Sequence, residues 1–249
     1  MSSFKDLLLS GELIAGTWVK TPHPHVVEVL ALSGLDVLAI DAEHAPFDRG
    51  SLDAALLAAK AGGVPALVRV PHSAPEAILQ ALDCGADGII APHIRTVEEV
   101  EALVRASHYG PRGRGFAGSS RAAGYTTKGM AKTREDAAKV AVIAQVEDAE
   151  ALDHLDAICA VEGIDAIFIG RIDLTISLGC ESADDQPVID AVEKICEACR
   201  KVGRRIGMFL SRVEDVPQWR EKGVSLFLLQ SDQDFMLRCA RTLGEAIRS

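Results

Sequence analysis

Short apolar runs rich in β-branched residues alternate with longer stretches whose apolar positions recur at helical spacing, and the alternation continues along the whole chain. The runs predict strands at Ile14 to Val19, Val37 to Ile40, Ala66 to Val70, Gly88 to Ala91, Val140 to Val146, Ala166 to Ile169, Arg205 to Leu210 and Ser225 to Leu229. Helical stretches fall near Pro24 to Ser33, Ser51 to Ala61, Pro75 to Asp83, Val97 to Ser107, Ala149 to Ala160, Gln186 to Val202, Val213 to Lys222 and Asp234 to Ile247. Gly34, Gly62 and Gly63, Gly85, Gly163, Gly203 and Gly223 each stand where a helix should stop, just before a strand. Such repetition predicts a parallel sheet with crossover helices in one α/β domain spanning residues 1–249. A closed (β/α)8 TIM barrel is favoured over an open doubly wound sheet. Tyr109 to Arg134, rich in Gly, Arg, Ser and Thr, is too long for a mere link and predicts a loop that covers a site.

Composition narrows the function classes. Hydrophobic residues make up 48% of the chain, enough for a large core, yet no apolar run is long enough to span a bilayer. The first residues lack a basic stretch followed by an apolar one, so no secretion signal and a cytoplasmic location are expected. A net charge of −10 with scattered basic residues argues against nucleic acid as a partner. The six cysteines, Cys84, Cys159, Cys180, Cys196, Cys199 and Cys239, read as free thiols. Cys196 and Cys199 fall inside a helical pattern with no second pair, and read as ordinary helix residues.

In a barrel the polar residues just after the strands carry the chemistry. The second strand leads to Asp41, Glu43 and His44, the third carries Arg69, the fifth ends in Gln145-Val146-Glu147, the sixth leads to Asp173, and the eighth to Gln230, Ser231 and Asp232. Glu147 and Asp173 leave neighbouring strands, and two close carboxylates suit a hard divalent cation. The alternative is that each acid caps a following helix. His44 suits proton transfer, the more so if Asp41 or Asp83 orients its ring; His23, His25, His72, His93, His108 and His154 have no comparable support. Arg69, at the end of a buried strand, must face an anion or pair with an acid such as Glu43. Gly170-Arg171-Ile172-Asp173 can open a helical turn whose N–H groups meet a substrate carboxylate. No lysine at a strand end suggests a Schiff base: Lys60 lies on a helix and Lys128 in the long loop.

Taken in order, Gly16-Thr17-Trp18, Asp41-Ala42-Glu43-His44-Ala45, Val68-Arg69-Val70, Gly85 to Pro92, Gly113-Arg114-Gly115, Gln145-Val146-Glu147, Glu162 to Asp165 and Gly170 to Gly179 resemble the HpcH/HpaI aldolase family. The resemblance implies a (β/α)8 barrel assembled as a homo-hexamer, with the last helix exchanged between partners. It implies that Glu147 and Asp173 bind a divalent metal (Mg²⁺, Mn²⁺ or Co²⁺), that no organic cofactor is used, and that Arg69 stabilises an enolate. It further implies that His44 acts in acid–base chemistry with its basicity raised by Asp83, while Gln145 and the backbone at Gly170 and Ile172 contact a 2-oxo acid. The reaction so implied is cleavage of a 4-hydroxy-2-oxo acid into a 2-oxo acid and an aldehyde. A citrate or malyl-CoA-type lyase, and a non-catalytic barrel binding a 2-oxo acid, are the alternatives. Arg171 stands where such proteins commonly have proline; it either adds charge near the substrate or turns away to an acid such as Glu181.

Overall fold

The computed structural model describes residues 3–248. Eight parallel strands close into a barrel in sequence order, with the first also paired to the last. They are β1 (Ile14–Val19), β2 (Val37–Asp41), β3 (Ala66–Arg69), β4 (Gly88–Ala91), β5 (Ala141–Val146), β6 (Ala166–Ile169), β7 (Arg205–Leu210) and β8 (Leu226–Ser231). Each sequence-predicted strand is present, four with the expected ends and four with an end moved by one or two residues. The helices are α1 (Phe4–Ser10), α2 (Pro24–Ala31), α3 (Arg49–Gly62), α4 (Pro75–Asp83), α5 (Val97–Ser107), α6 (Met130–Ala137), α7 (Leu155–Ala160), α8 (Arg171–Ser177), α9 (Gln186–Lys201), α10 (Val216–Glu221) and α11 (Asp232–Arg248). The two helices expected at 149–160 and 213–222 each begin as a 3-10 turn, Ala149–Asp153 and Val213–Asp215. Helices α1 and α6 carry too short an apolar pattern to have been read from spacing.

Apolar residues divide into two clusters because strand side chains alternate between two faces. Ile14, Val37, Leu67, Ile90, Ile143, Phe168 and Leu228 belong to the cluster inside the barrel. The larger cluster, with Leu38, Ile40, Val68, Ile89 and Ile167, packs outward under the helices. Phe4 and Leu8 of α1 join the inner cluster and plug the end where the strands begin. At the other end the inward alternation runs on past the apolar layers, 37–39–41 on β2, 67–69 on β3 and 143–145–147 on β5. Asp41, Arg69, Gln145 and Glu147 are thereby delivered to the barrel mouth.

The long connection does not cover that mouth within the chain. It links α5 to β5, and Arg114 bonds Asp83 at the end of α4 while Arg121 reaches Asp53 of α3 at 2.6 Å. A segment that follows a helix and precedes a strand must lie at the strands' N-terminal ends, opposite the mouth. Helix α11 differs from the others in having only Asp232 buried, with Met236, Leu237, Leu243 and Ile247 exposed. Among the described residues no helix is long and apolar enough to cross a membrane, and all six cysteines are free, with Cys196 and Cys199 buried in α9.

Candidate active site at the barrel mouth

Strand register sets the first row of the site. Val19 aligns with Ile40 and Asp41 with Arg69, so the residue after β1, Lys20, comes beside Asp41. Asp41 is fully buried and accepts Arg69 Nε at 3.0 Å and Nη2 at 2.8 Å, together with the backbone N–H groups of Glu43 at 3.3 Å and His44 at 3.1 Å. Burial works against its charge, but these donors hold the carboxyl below its ordinary range. Arg69 lies 4.4 Å over the Trp18 ring, and its Nε is 3.2 Å from Glu43 Oε2. The guanidinium is thus locked on two carboxylates and an aromatic face. Burial pushes Glu43 up to about 7 against the pull of Arg69, with Glu147 and Asp41 adding to the rise.

Glu147 forms the second centre. It is 1% exposed and caps no helix; Gln145 Nε2 donates to its Oε2 and the backbone N–H of His93 to its Oε1 at 2.9 Å. Burial raises its pKa, and the nearby Asp173 adds to the effect. Gly170 is required here because a Cβ at that position would run into the Glu147 carboxylate and the Gln145 amide. Asp173 lies in the first turn of α8, where Gly170, not Asp173, is the N-cap. Both acids therefore lose the helix-cap reading. The N–H of Gly170 is taken by Val146 O at 3.1 Å, which removes that group from the proposed carboxylate cradle; Ile172 follows in the first turn and lines the cavity.

The mouth holds a cavity of about 240 Å³ lined in part by Trp18, Lys20, His44, Arg69, Asp173 and Gln230. The His44 ring is half exposed, and its Nε2 is 3.9 Å from Glu43 Oε2. Asp83 is at the opposite end of the barrel, bonded to Arg114, so no His44–Asp83 pair forms within one chain. The physical reason is topological: Asp83 ends a helix, whereas His44 follows a strand. Arg171 turns out of the mouth, with Nη2 donating to Ala183 O at 2.9 Å, lying 3.4 Å from Asp184 and its guanidinium 5.1 Å from the Trp219 ring centre. Its acid is Asp184 and not Glu181.

Two mouth residues escaped the sequence reading. Lys20 is a strand-end lysine after all, one residue past β1. His93 follows β4 with a φ of 55°, a left-handed conformation that costs a non-glycine residue energy and here aims its N–H at Glu147. Its ring stands 3.1 Å from Asp148 and 3.6 Å from Glu43. Burial opposes its charge, but the hydrogen bond to Asp148 and the charge of Glu147 raise its pKa. The Gly-free sequence around it gave no sign of a left-handed turn.

A divalent cation fits the donor set. Glu147 and Asp173 offer hard carboxylate oxygens, and the Gln145 Oε1 beside them is buried without a hydrogen-bond partner. Among the described residues no cluster of three or more His, Cys, Asp or Glu side chains encloses an ion. The protein would thus supply two ligands and leave the remaining positions to water and substrate, as Mg²⁺ and Mn²⁺ favour.

Residues 15–237 match the family described as HpcH/HpaI aldolase/citrate lyase. A 4-hydroxy-2-oxovalerate aldolase of Novosphingobium aromaticivorans is 37% identical over 256 residues, covering 100% of this chain and 94% of its own. A hydroxypyruvate/pyruvate aldolase of Roseovarius nubinhibens is 34% identical over 96% of this chain and 94% of its own. The crystal structure of an HpcH/HpaI aldolase/citrate lyase family protein from Burkholderia cenocepacia superposes with a TM-score of 0.95 at 33% identity, covering 100% of both chains.

Proposed function

The chain belongs to the HpcH/HpaI aldolase/citrate lyase family and is a carbon–carbon lyase, and within that class we propose a divalent-metal-dependent aldolase acting on 4-hydroxy-2-oxo acids. Its products are a 2-oxo acid such as pyruvate or hydroxypyruvate and an aldehyde. The observation that carries this reading is the buried Glu147, with Asp173 from the next strand, at the same mouth as a guanidinium fixed by Asp41.

A cation held by Glu147 and Asp173 supplies Lewis acidity toward the oxo acid. The side chains do the rest. Arg69 cannot swing, because Asp41, Glu43 and Trp18 hold it, so its positive charge is already aimed where the 2-oxo oxygen gains negative charge as the bond breaks. Gln145 orients Glu147 with its amide N–H. His44 takes the proton of the 4-hydroxyl; the electron pair of that O–H bond becomes the aldehyde C=O, and the C3–C4 pair passes to C3 and the 2-oxo oxygen. A proton returned to C3 completes the 2-oxo acid.

The same reading assembles the chain as a hexamer with α11 exchanged. A His44–Asp83 pair then requires Asp83 from a neighbouring copy. The test is a retro-aldol assay with Mn²⁺, reading pyruvate release. Glu147→Ala and Asp173→Ala should each abolish turnover and metal binding by calorimetry while leaving the circular dichroism spectrum unchanged, and EDTA should stop the wild type reversibly. Full turnover in EDTA would sink the metal dependence. Because the family also includes citrate lyases, malyl-CoA is assayed alongside; carbon–carbon cleavage of malyl-CoA and not of the 4-hydroxy-2-oxo acid would favour a CoA-type lyase.

A further inference from the structure

We infer that Lys20 is a specificity-determining residue that binds a second carboxylate of the substrate, on the aldehyde half, so that the preferred 4-hydroxy-2-oxo acid is a diacid. This rests on the aldolase reading above. Lys20 is held in place from its backbone: the buried Asp232 accepts the N–H of Lys20 at 2.7 Å and that of Thr21 at 3.0 Å. Its side chain lines the mouth cavity with Arg69, His44 and Asp173 and is 32% exposed, accessible to a ligand yet partly shielded from bulk water.

Its ammonium is not consumed by the protein. Among the described residues the one acid within 4 Å of Lys20 Nζ is Asp41, at 3.5 Å, and the Asp41 oxygen concerned already accepts Arg69 Nη2 at 2.8 Å. Lys20 thus places a second positive charge beside Arg69, with donors to spare. The other acid on this side of the cavity, Asp234, is hydrogen-bonded by Ser231 Oγ at 2.8 Å.

Position decides which part of the substrate Lys20 meets. In a closed barrel of eight sequential strands, β1 is diametrically opposite β5. Glu147 follows β5 and Asp173 follows β6, so an oxo acid anchored by its carboxylate there points its other end across the mouth toward β1 and β8. The group arriving at that end is the substituent on the aldehyde carbon. An ammonium is a point charge suited to a carboxylate and of little use to a methyl or hydroxymethyl group.

The experiment compares glyoxylate, which carries a carboxylate, with acetaldehyde and glycolaldehyde, which do not, each condensed with pyruvate in the presence of Mn²⁺ by wild type, Lys20→Met and Lys20→Arg. Lys20→Met should lower kcat/KM for glyoxylate by about 20-fold, the scale of one charge-assisted hydrogen bond, and change it less than about threefold for the uncharged aldehydes. Lys20→Arg should retain most of the glyoxylate rate. An equal loss with all three aldehydes, or no loss with glyoxylate, would overturn the assignment. So would a pyruvate adduct on Lys20 trapped by borohydride, which would make the residue a nucleophile. A wild type inactive with every aldehyde would overturn the aldolase reading itself, and this inference with it.

Discussion

Arg171 shows how one substitution can leave a site intact. It occupies the first residue of α8, where a proline's fixed φ and missing N–H are both tolerated. The side chain is spent outside the mouth, tying α8 to the 183–184 loop and to Trp219 of α10. Arg171→Pro should therefore keep kcat within a few-fold while lowering stability by about 1–3 kcal/mol, through the lost hydrogen bond and the hole left against Trp219; a Tm and a kcat measured together check both halves. At this scale the residues legible in the sequence were those at the end of an unmistakable strand: Asp41, Arg69, Gln145 and Glu147 follow from the period of two. Lys20 obeys the same rule one residue past β1, but a lysine at a strand end reads equally well as a solvated surface side chain. Asp83 ends a helix, so within one chain it lies away from His44, and His93 is illegible because its contribution is a backbone N–H.

Among the elements, strands were easier to read than connections, since a buried strand announces itself by composition while a connection takes its place from what flanks it. The 109–134 segment illustrates this: length suggested a cover for the mouth, but its place between α5 and β5 fixes it at the far end. There Asp136 of α6 joins the segment to the fold, accepting Lys128 at 2.7 Å with Lys132 at 3.1 Å. The hydrogen bond from Lys128 outweighs the cost of burial and, with Lys132 adding to it, holds Asp136 down to about 2 from its ordinary 3.8. An acid whose folded pKa is depressed stabilises the fold above its unfolded value and loses that contribution as pH falls through the folded one. Amide protection in 128–137, taken as the intrinsic exchange rate at each pH over the observed one, should accordingly fall between about pH 4 and about pH 2 in the wild type. Asp136→Asn should exchange faster already at neutral pH and show a flatter dependence.

The whole molecule leaves one apolar helix face uncovered within the chain. Helix α11 carries Met236, Leu243 and Ile247 along one side at helical spacing, with Leu243 65% and Ile247 85% exposed, a stripe that calls for a partner surface. Leu243→Glu should cost the isolated fold little, since the residue touches solvent there, yet lower the mass found by chromatography with light scattering from that of the proposed hexamer to smaller species. An unchanged mass would dismiss α11 as the assembly element. At the other end of the molecule, Phe4 and Leu8 stopper the barrel. A vessel with a single opening sends everything through one door: whatever reaches the Trp18–Phe168 floor passes the same rim as the second reactant. The barrel is thus closed twice over, by its own inner layers and by a seven-residue helix beneath them, and both reactants share one entrance.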